Sequence, residues 1–123
     1  MAMSVTGATP EPELIEGLQQ FYSQAAQVPG FVALRSTIPH LATWDDHDYG
    51  KNDAGADFTG RHDAQRLFLQ FWKVPLSDER HRREGVYHAQ TFGPEEQRVQ
   101  VILLDTRFFR SPLKPSDPRG ARR

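Results

Sequence analysis

Cysteine is absent from the 123 residues, which excludes disulfides, Cys-ligated zinc, iron–sulfur clusters and thiol nucleophiles together. The compartment stays open, because exported chains can also lack cysteine. Long apolar runs are absent too. The most hydrophobic stretches, 31–34 and 101–104, are one short strand each, against the ~20 residues a spanning helix needs. No membrane span is therefore expected. Neither sign of charge dominates, with 15 basic and 16 acidic residues for a net charge of −1. No whole-chain field draws the protein to nucleic acid or an anionic membrane, and no nucleic-acid partner is expected. The first twelve residues lack both a basic start and an apolar core, so no signal peptide is read there.

What is present suits a folded chain. Hydrophobic residues make 37% and aromatics 11%, while nine glycines and nine prolines predict many loops. Residues 1–10 are small and polar and are expected to be disordered. From Glu11 a helical period begins, with Pro12 in its first turn and Leu14, Leu18, Tyr22 and Ala25 three or four apart. Pro29-Gly30 stops it, and a short helix is predicted over 31–37. His40-Leu41-Ala42-Thr43-Trp44 reads as a short buried strand at about 41–43. Periodicity then vanishes from 45 to 59, a loop of the length that is usually functional or disordered.

The clearest helix is predicted over 61–73, where Ala64, Leu67, Phe68, Phe71 and Trp72 form an apolar stripe that Pro75 closes. The charged stretch 77–84 is expected to be solvated. Strands are predicted over 86–92 and 98–105, joined at Gly93-Pro94-Glu95-Glu96. Val99, Val101 and Leu103 share one face of the second strand, while Ile102 and Leu104 lie on the other. That pattern predicts an interior strand covered on both sides. The expected fold is α+β, with Leu67, Phe68, Phe71, Trp72, Val101 and Leu103 in its core. From Thr106 onward there are six basic residues and one acid, and 114–123 reads as a basic, solvated tail.

The chemistry concentrates in Trp44-Asp45-Asp46-His47-Asp48-Tyr49-Gly50-Lys51-Asn52-Asp53-Ala54-Gly55-Ala56-Asp57. Five aspartates against one lysine give residues 45–57 a formal charge of −4. Crowded carboxylates raise one another's pKa unless a cation compensates, and hard metals take oxygen ligands from Asp, Asn and backbone carbonyls. A histidine among them adds a metal ligand or a general acid for neutral pH. An EF-hand does not fit: with Asp46 as first ligand, Lys51 falls where the glycine belongs. Composition and spacing leave two readings open, a solvated acidic turn and a metal-binding loop.

Trp44-Asp45-Asp46-His47-Asp48-Tyr49-Gly50, with Asn52-Asp53-Ala54-Gly55, resembles the signature of the alkaline phosphatase D (PhoD-like) family of the metallophosphoesterase superfamily. Gly85-Val86-Tyr87-His88-Ala89-Gln90-Thr91-Phe92-Gly93 and Val101-Ile102-Leu103-Leu104-Asp105-Thr106-Arg107-Phe108-Phe109-Arg110-Ser111-Pro112-Leu113 resemble two further segments in the same order. The resemblance covers 29–113. It implies part of a four-layer α/β/β/α sandwich, with two to four strands and two or three helices falling in 11–113. It also implies hydrolysis of phosphate esters at a multinuclear centre of iron and calcium, by attack of a metal-held hydroxide with a histidine as general acid. By that match His47 is the catalytic acid and Asp46 a metal ligand, with Asp45, Asp48 and Asn52 as further ligand candidates. The family is often exported.

His40, His62 and His81 are expected to be surface or packing residues, and His88 structural. Arg107 and Arg110 could clamp a phosphate; pairing with Asp105 or another acid is the simpler expectation. The family's other ligand motifs, a strand-end Asp, a Gly-Asp and a Gly-Asp-x-His, have no match in the sequence. The chain is therefore expected to be an internal fragment holding one wall of the site, inactive without the remainder of the phosphatase domain. The competing reading is a short non-catalytic protein with a residual cation-binding loop.

Overall fold

A computed structural model describes residues 11–114. The expectations for 1–10 and for 115–123 lie outside the described residues. The chain runs through α1 (Glu11–Ala25), α2 (Pro29–Thr37), α3 (Asp46–Tyr49) and α4 (Arg61–Phe71), then a 3₁₀ turn (Glu79–His81), β1 (His88–Phe92), a second 3₁₀ turn (Glu95–Gln97) and β2 (Val99–Leu103). The fold mixes helix and strand, as expected. Among the described residues it has four helices, α3 being one turn inside the stretch predicted to be irregular.

Each helix follows from its sequence. Glu11 and Glu13 sit at the positive end of α1, which buries Leu18 and Tyr22 one turn apart. Pro29 opens α2, where its missing N–H costs nothing. Phe31 of α2 packs on Phe71 and Trp72, and the Arg35 guanidinium lies 4.5 Å over the Phe71 ring. In α4 the predicted stripe of Ala64, Leu67, Phe68 and Phe71 is buried, and Gln65 and Leu69 are buried as well. The helix ends at Phe71, short of the predicted 73, in a Schellman motif. Val74 N–H bonds Leu69 O at 2.9 Å and Lys73 N–H bonds Gln70 O at 3.1 Å. Lys73 accordingly takes φ 53°, a left-handed conformation usually given to glycine.

The 77–84 stretch is solvated in part: Ser77, Glu79, Arg82 and Glu84 are exposed, as expected, while Arg80 is not. Gln65 explains why it folds down: its Nε2 donates to Arg80 O and Arg83 O, both at 2.8 Å, and its Oε1 accepts from Gly85 N–H at 2.8 Å. Arg80 is buried against α4. Its Nε and Nη2 each donate to the Asp78 carboxylate at 2.9 Å, which holds Asp78 well below the usual carboxylate range.

β1 and β2 pair antiparallel, His88 opposite Leu103 and Phe92 opposite Val99. Gly93 makes the connection with φ 91°. A Cβ there would stand 2.4 Å from Gln97 O, so a side chain is excluded on both counts. His88 and Gln90 look across a cleft toward Phe68 and Trp72 of the helical body.

Two strand expectations are corrected. Residues 41–43 are not a strand, since no described strand pairs with them. Their tie to the hairpin is Thr43 Oγ1 donating to Leu104 O at 2.8 Å. A run without a ladder partner is not a sheet member. Nor is β2 covered on two faces. Val101 and Leu103 are half-buried, short of the full burial expected of core residues. Ile102 and Leu104 are 61% and 67% exposed. No described helix is long and apolar enough to cross a membrane.

Candidate functional site

The acidic loop is positioned by its neighbours in the fold. Trp44, just before it, is buried. Its ring stands edge-on to Tyr49 at 4.9 Å and to Phe68 of α4 at 5.2 Å. Such pairs add about 0.5–1.5 kcal/mol each beyond area burial. The indole N–H donates to Asp105 Oδ1 at 2.9 Å. The same oxygen accepts from the backbone N–H groups of Arg107 and Phe108 at 2.9 Å each. Asp105 Oδ2 accepts from Val86 N–H at 2.8 Å. One carboxylate thus joins the loop, the approach to β1 and the turn after β2.

That turn closes back on the loop. Arg107 Nε donates to Asp45 Oδ1 at 2.9 Å, and Nη2 reaches the same oxygen. The pair raises the Arg107 pKa further. Arg107 therefore has an acid partner, as expected; that acid is Asp45. Ala56 N–H donates to Arg110 O at 2.8 Å. A Cβ on Gly55 would stand 2.4 Å from that carbonyl oxygen, so the close approach needs glycine. Arg110 Nη2 donates to Asp53 O.

Inside the loop α3 is held from below. Tyr49 is fully buried, and its hydroxyl donates to Gly55 O at 2.7 Å. Burial pushes its phenol up to about 12. Tyr22 of α1 donates to Asp48 O at 3.2 Å, and its phenol is likewise raised by burial, with Asp48 adding to the effect. The aspartates diverge in character. Asp48 Oδ1 accepts from Asp45 N–H at 2.6 Å, the reach-back of a capping box. Burial nevertheless raises the Asp48 pKa. Asp46 Oδ2 accepts from Asp53 N–H at 3.1 Å and Oδ1 from His47 N–H at 3.0 Å. Its pKa is lowered, chiefly by the Asp53 N–H.

The fold brings Asp45, Asp46, His47 and Asp48 onto one turn. His47 is the side chain it leaves free: 78% exposed, its Nε2 3.9 Å from Asp46 Oδ2. Asn52 stands apart, donating from Nδ2 to Asp53 Oδ2 at 2.9 Å. The implied ligand set does not fit a metal ion by itself. Asp45 is spent on Arg107 and Asp48 on the loop backbone. Among the described residues, no three His, Asp or Glu side chains are disposed to hold a metal.

Three of the other histidines are engaged locally. The His40 ring lies tilted against Trp72 with centroids 5.3 Å apart, His62 donates to Glu84 at 2.9 Å, and His81 donates to Val74 O at 3.0 Å. Sequence reasoning missed the role of Asp105. Its signal was an acid ending an apolar strand, where a short carboxylate takes up the N–H groups of the following turn. No family model, curated protein or solved structure matches the chain.

Proposed function

We propose that this chain carries the His-bearing wall of a metal-dependent phosphate-ester hydrolase, a PhoD-like phosphatase or phosphodiesterase, as part of a four-layer metallophosphatase sandwich. The observation that carries the reading is the exposed His47 imidazole on a loop fixed from three sides by Asp105, Arg107 and Tyr49. An imidazole can hold a proton near neutral pH and give it up to a substrate. In the proposed step a water oxygen bonds to phosphorus and the bond to the leaving oxygen breaks. His47 protonates that oxygen, and the proton lost by water restores the ring. Iron and calcium belong to this reading by resemblance. Asp46 is a ligand by the same resemblance, and the reading requires further ligands that residues 11–114 do not supply.

The alternative is a non-catalytic protein whose loop is structural. It is favoured by the internal engagement of Asp45 and Asp48. Transplanting residues 29–113 into a PhoD-like phosphatase in place of its matching segment decides between them. The chimera is expected to hydrolyse phosphate esters. His47→Ala is expected to lower turnover about 10²- to 10⁴-fold on an alkyl phosphate, with metal content unchanged. Nitrophenyl phosphate, whose phenolate leaves without help, should lose less. An inactive chimera supports the structural reading. Equal losses on both substrates with metal depleted would make His47 a ligand.

A further inference from the structure

A groove of about 760 Å³ runs between α1 and α3, with His47 at its rim. Leu14, Gly17, Leu18 and Phe21 of α1 form its floor and wall. We infer that this groove receives the uncharged, apolar alcohol portion of the phosphate ester, with the ester oxygen at the rim beside His47. The inference rests on the phosphoester reading above.

Three observations carry it. First, the groove is apolar where a soluble helix is normally polar: Phe21 is 59% exposed along it. Second, its charged lining is acidic. Glu13 and Asp48 border it and, among the described residues, no Lys or Arg does. A phosphoryl group is therefore repelled from the groove. Arg107, which pairs with Asp45 and lowers the Asp46 pKa, does not line it. Third, Gly17 sits in the middle of α1, where glycine weakens a helix. Neither a left-handed backbone nor a packed neighbour demands it, for a Cβ there meets nothing within 4 Å. What the missing side chain preserves is open space above the helix. The size is also apt, since small-molecule pockets span roughly 300–1,000 Å³.

The test uses the whole 123-residue chain and two uncharged probes, benzyl alcohol and glycerol. In NMR titrations benzyl alcohol is expected to shift the Leu14 and Leu18 methyls, the Phe21 ring and the His47 imidazole, whereas glycerol leaves them in place. Gly17→Leu fills the groove without straining the helix. It should keep or raise the melting temperature while weakening benzyl alcohol binding about tenfold or more, a loss on the scale of one apolar contact. Phe21→Ser should weaken it in the same direction. Unmoved groove resonances, equal shifts with glycerol, or undiminished binding by a folded Gly17→Leu would overturn the inference. If benzyl alcohol binds here but the chimera is inactive, the phosphoester reading fails and the groove survives as a site for apolar alcohols. If the chimera is active and the groove stays silent, the reading stands and the groove assignment falls.

Discussion

Phe68 of α4 and Ile102 of β2 are both apolar residues in strongly patterned elements, yet Phe68 is wholly buried and Ile102 is 61% exposed. The helical body buries its apolar stripe in the core. Leu67, Phe68 and Phe71 are buried in one cluster with Leu18 and Tyr22 of α1 and Trp44 ahead of the loop. The hairpin uses the same kinds of residue and leaves Val99, Ile102 and Leu104 open. Periodicity says which residues share a face. Whether that face is dry depends on an opposing layer, and the hairpin has one on a single side.

The sharpest way to break this comparison is to truncate one residue from each region. Phe68→Ala should cost about 3–5 kcal/mol, as large-to-small changes in packed cores do. Ile102→Ala should change stability by less than about 0.5 kcal/mol. Denaturant melts of the two variants check this, and a similar cost for both would mean the hairpin face is covered after all.

Acid sharpens it next. Asp78 has its pKa lowered by Arg80, so its contribution is full above the unfolded value of about 3.9 and is lost as pH falls through the folded pKa. Asp48, raised by burial, works the other way: its charge burdens the fold at neutral pH and the burden lifts on acidification. Asp78→Asn should therefore lower the melting temperature at pH 7, by less as pH drops toward 2. Asp48→Asn, which keeps an acceptor for Asp45 N–H, should raise it slightly at pH 7 and not at acid pH. Thermal melts across pH read both signs.

The smallest effect is at the end of α4. Lys73 holds a left-handed backbone, and Lys73→Gly should stabilise by about 1 kcal/mol or less, because glycine accepts that conformation without a Cβ clash. A loss of stability on melting would show that the Lys73 side chain matters more than its backbone.

The legible part of the molecule was the part fixed by local rules. The 3.6-residue stripe from Ala64 to Phe71 and the Gly93-Pro94 turn announce α4 and the hairpin directly, and four of the six expected core residues pack in or against the core. What was not legible depended on distant partners. His40 to Thr43 carries strand-forming residues but no ladder to join. Arg80 sits in a charged run yet is buried, because Gln65 of α4 draws that run's carbonyls inward. At the site, the loop and the prominence of His47 were visible in the residues themselves. The Asp105 junction was not, since its four donors come from three separate stretches of chain.

That junction is the central structural claim, because it holds the His47 loop against both regions at once. Amide hydrogen exchange on Asp105→Ala tests it most directly. Removing the carboxylate strands the Trp44, Val86, Arg107 and Phe108 N–H groups. Protection should then collapse together at Val86, at Arg107 and Phe108, and at the loop amides of Gly50, Asp53 and Ala56, while α1 and α4 stay protected. Loop amides that keep their protection when Val86 and Phe108 lose theirs would contradict the account and leave the loop anchored by something other than Asp105.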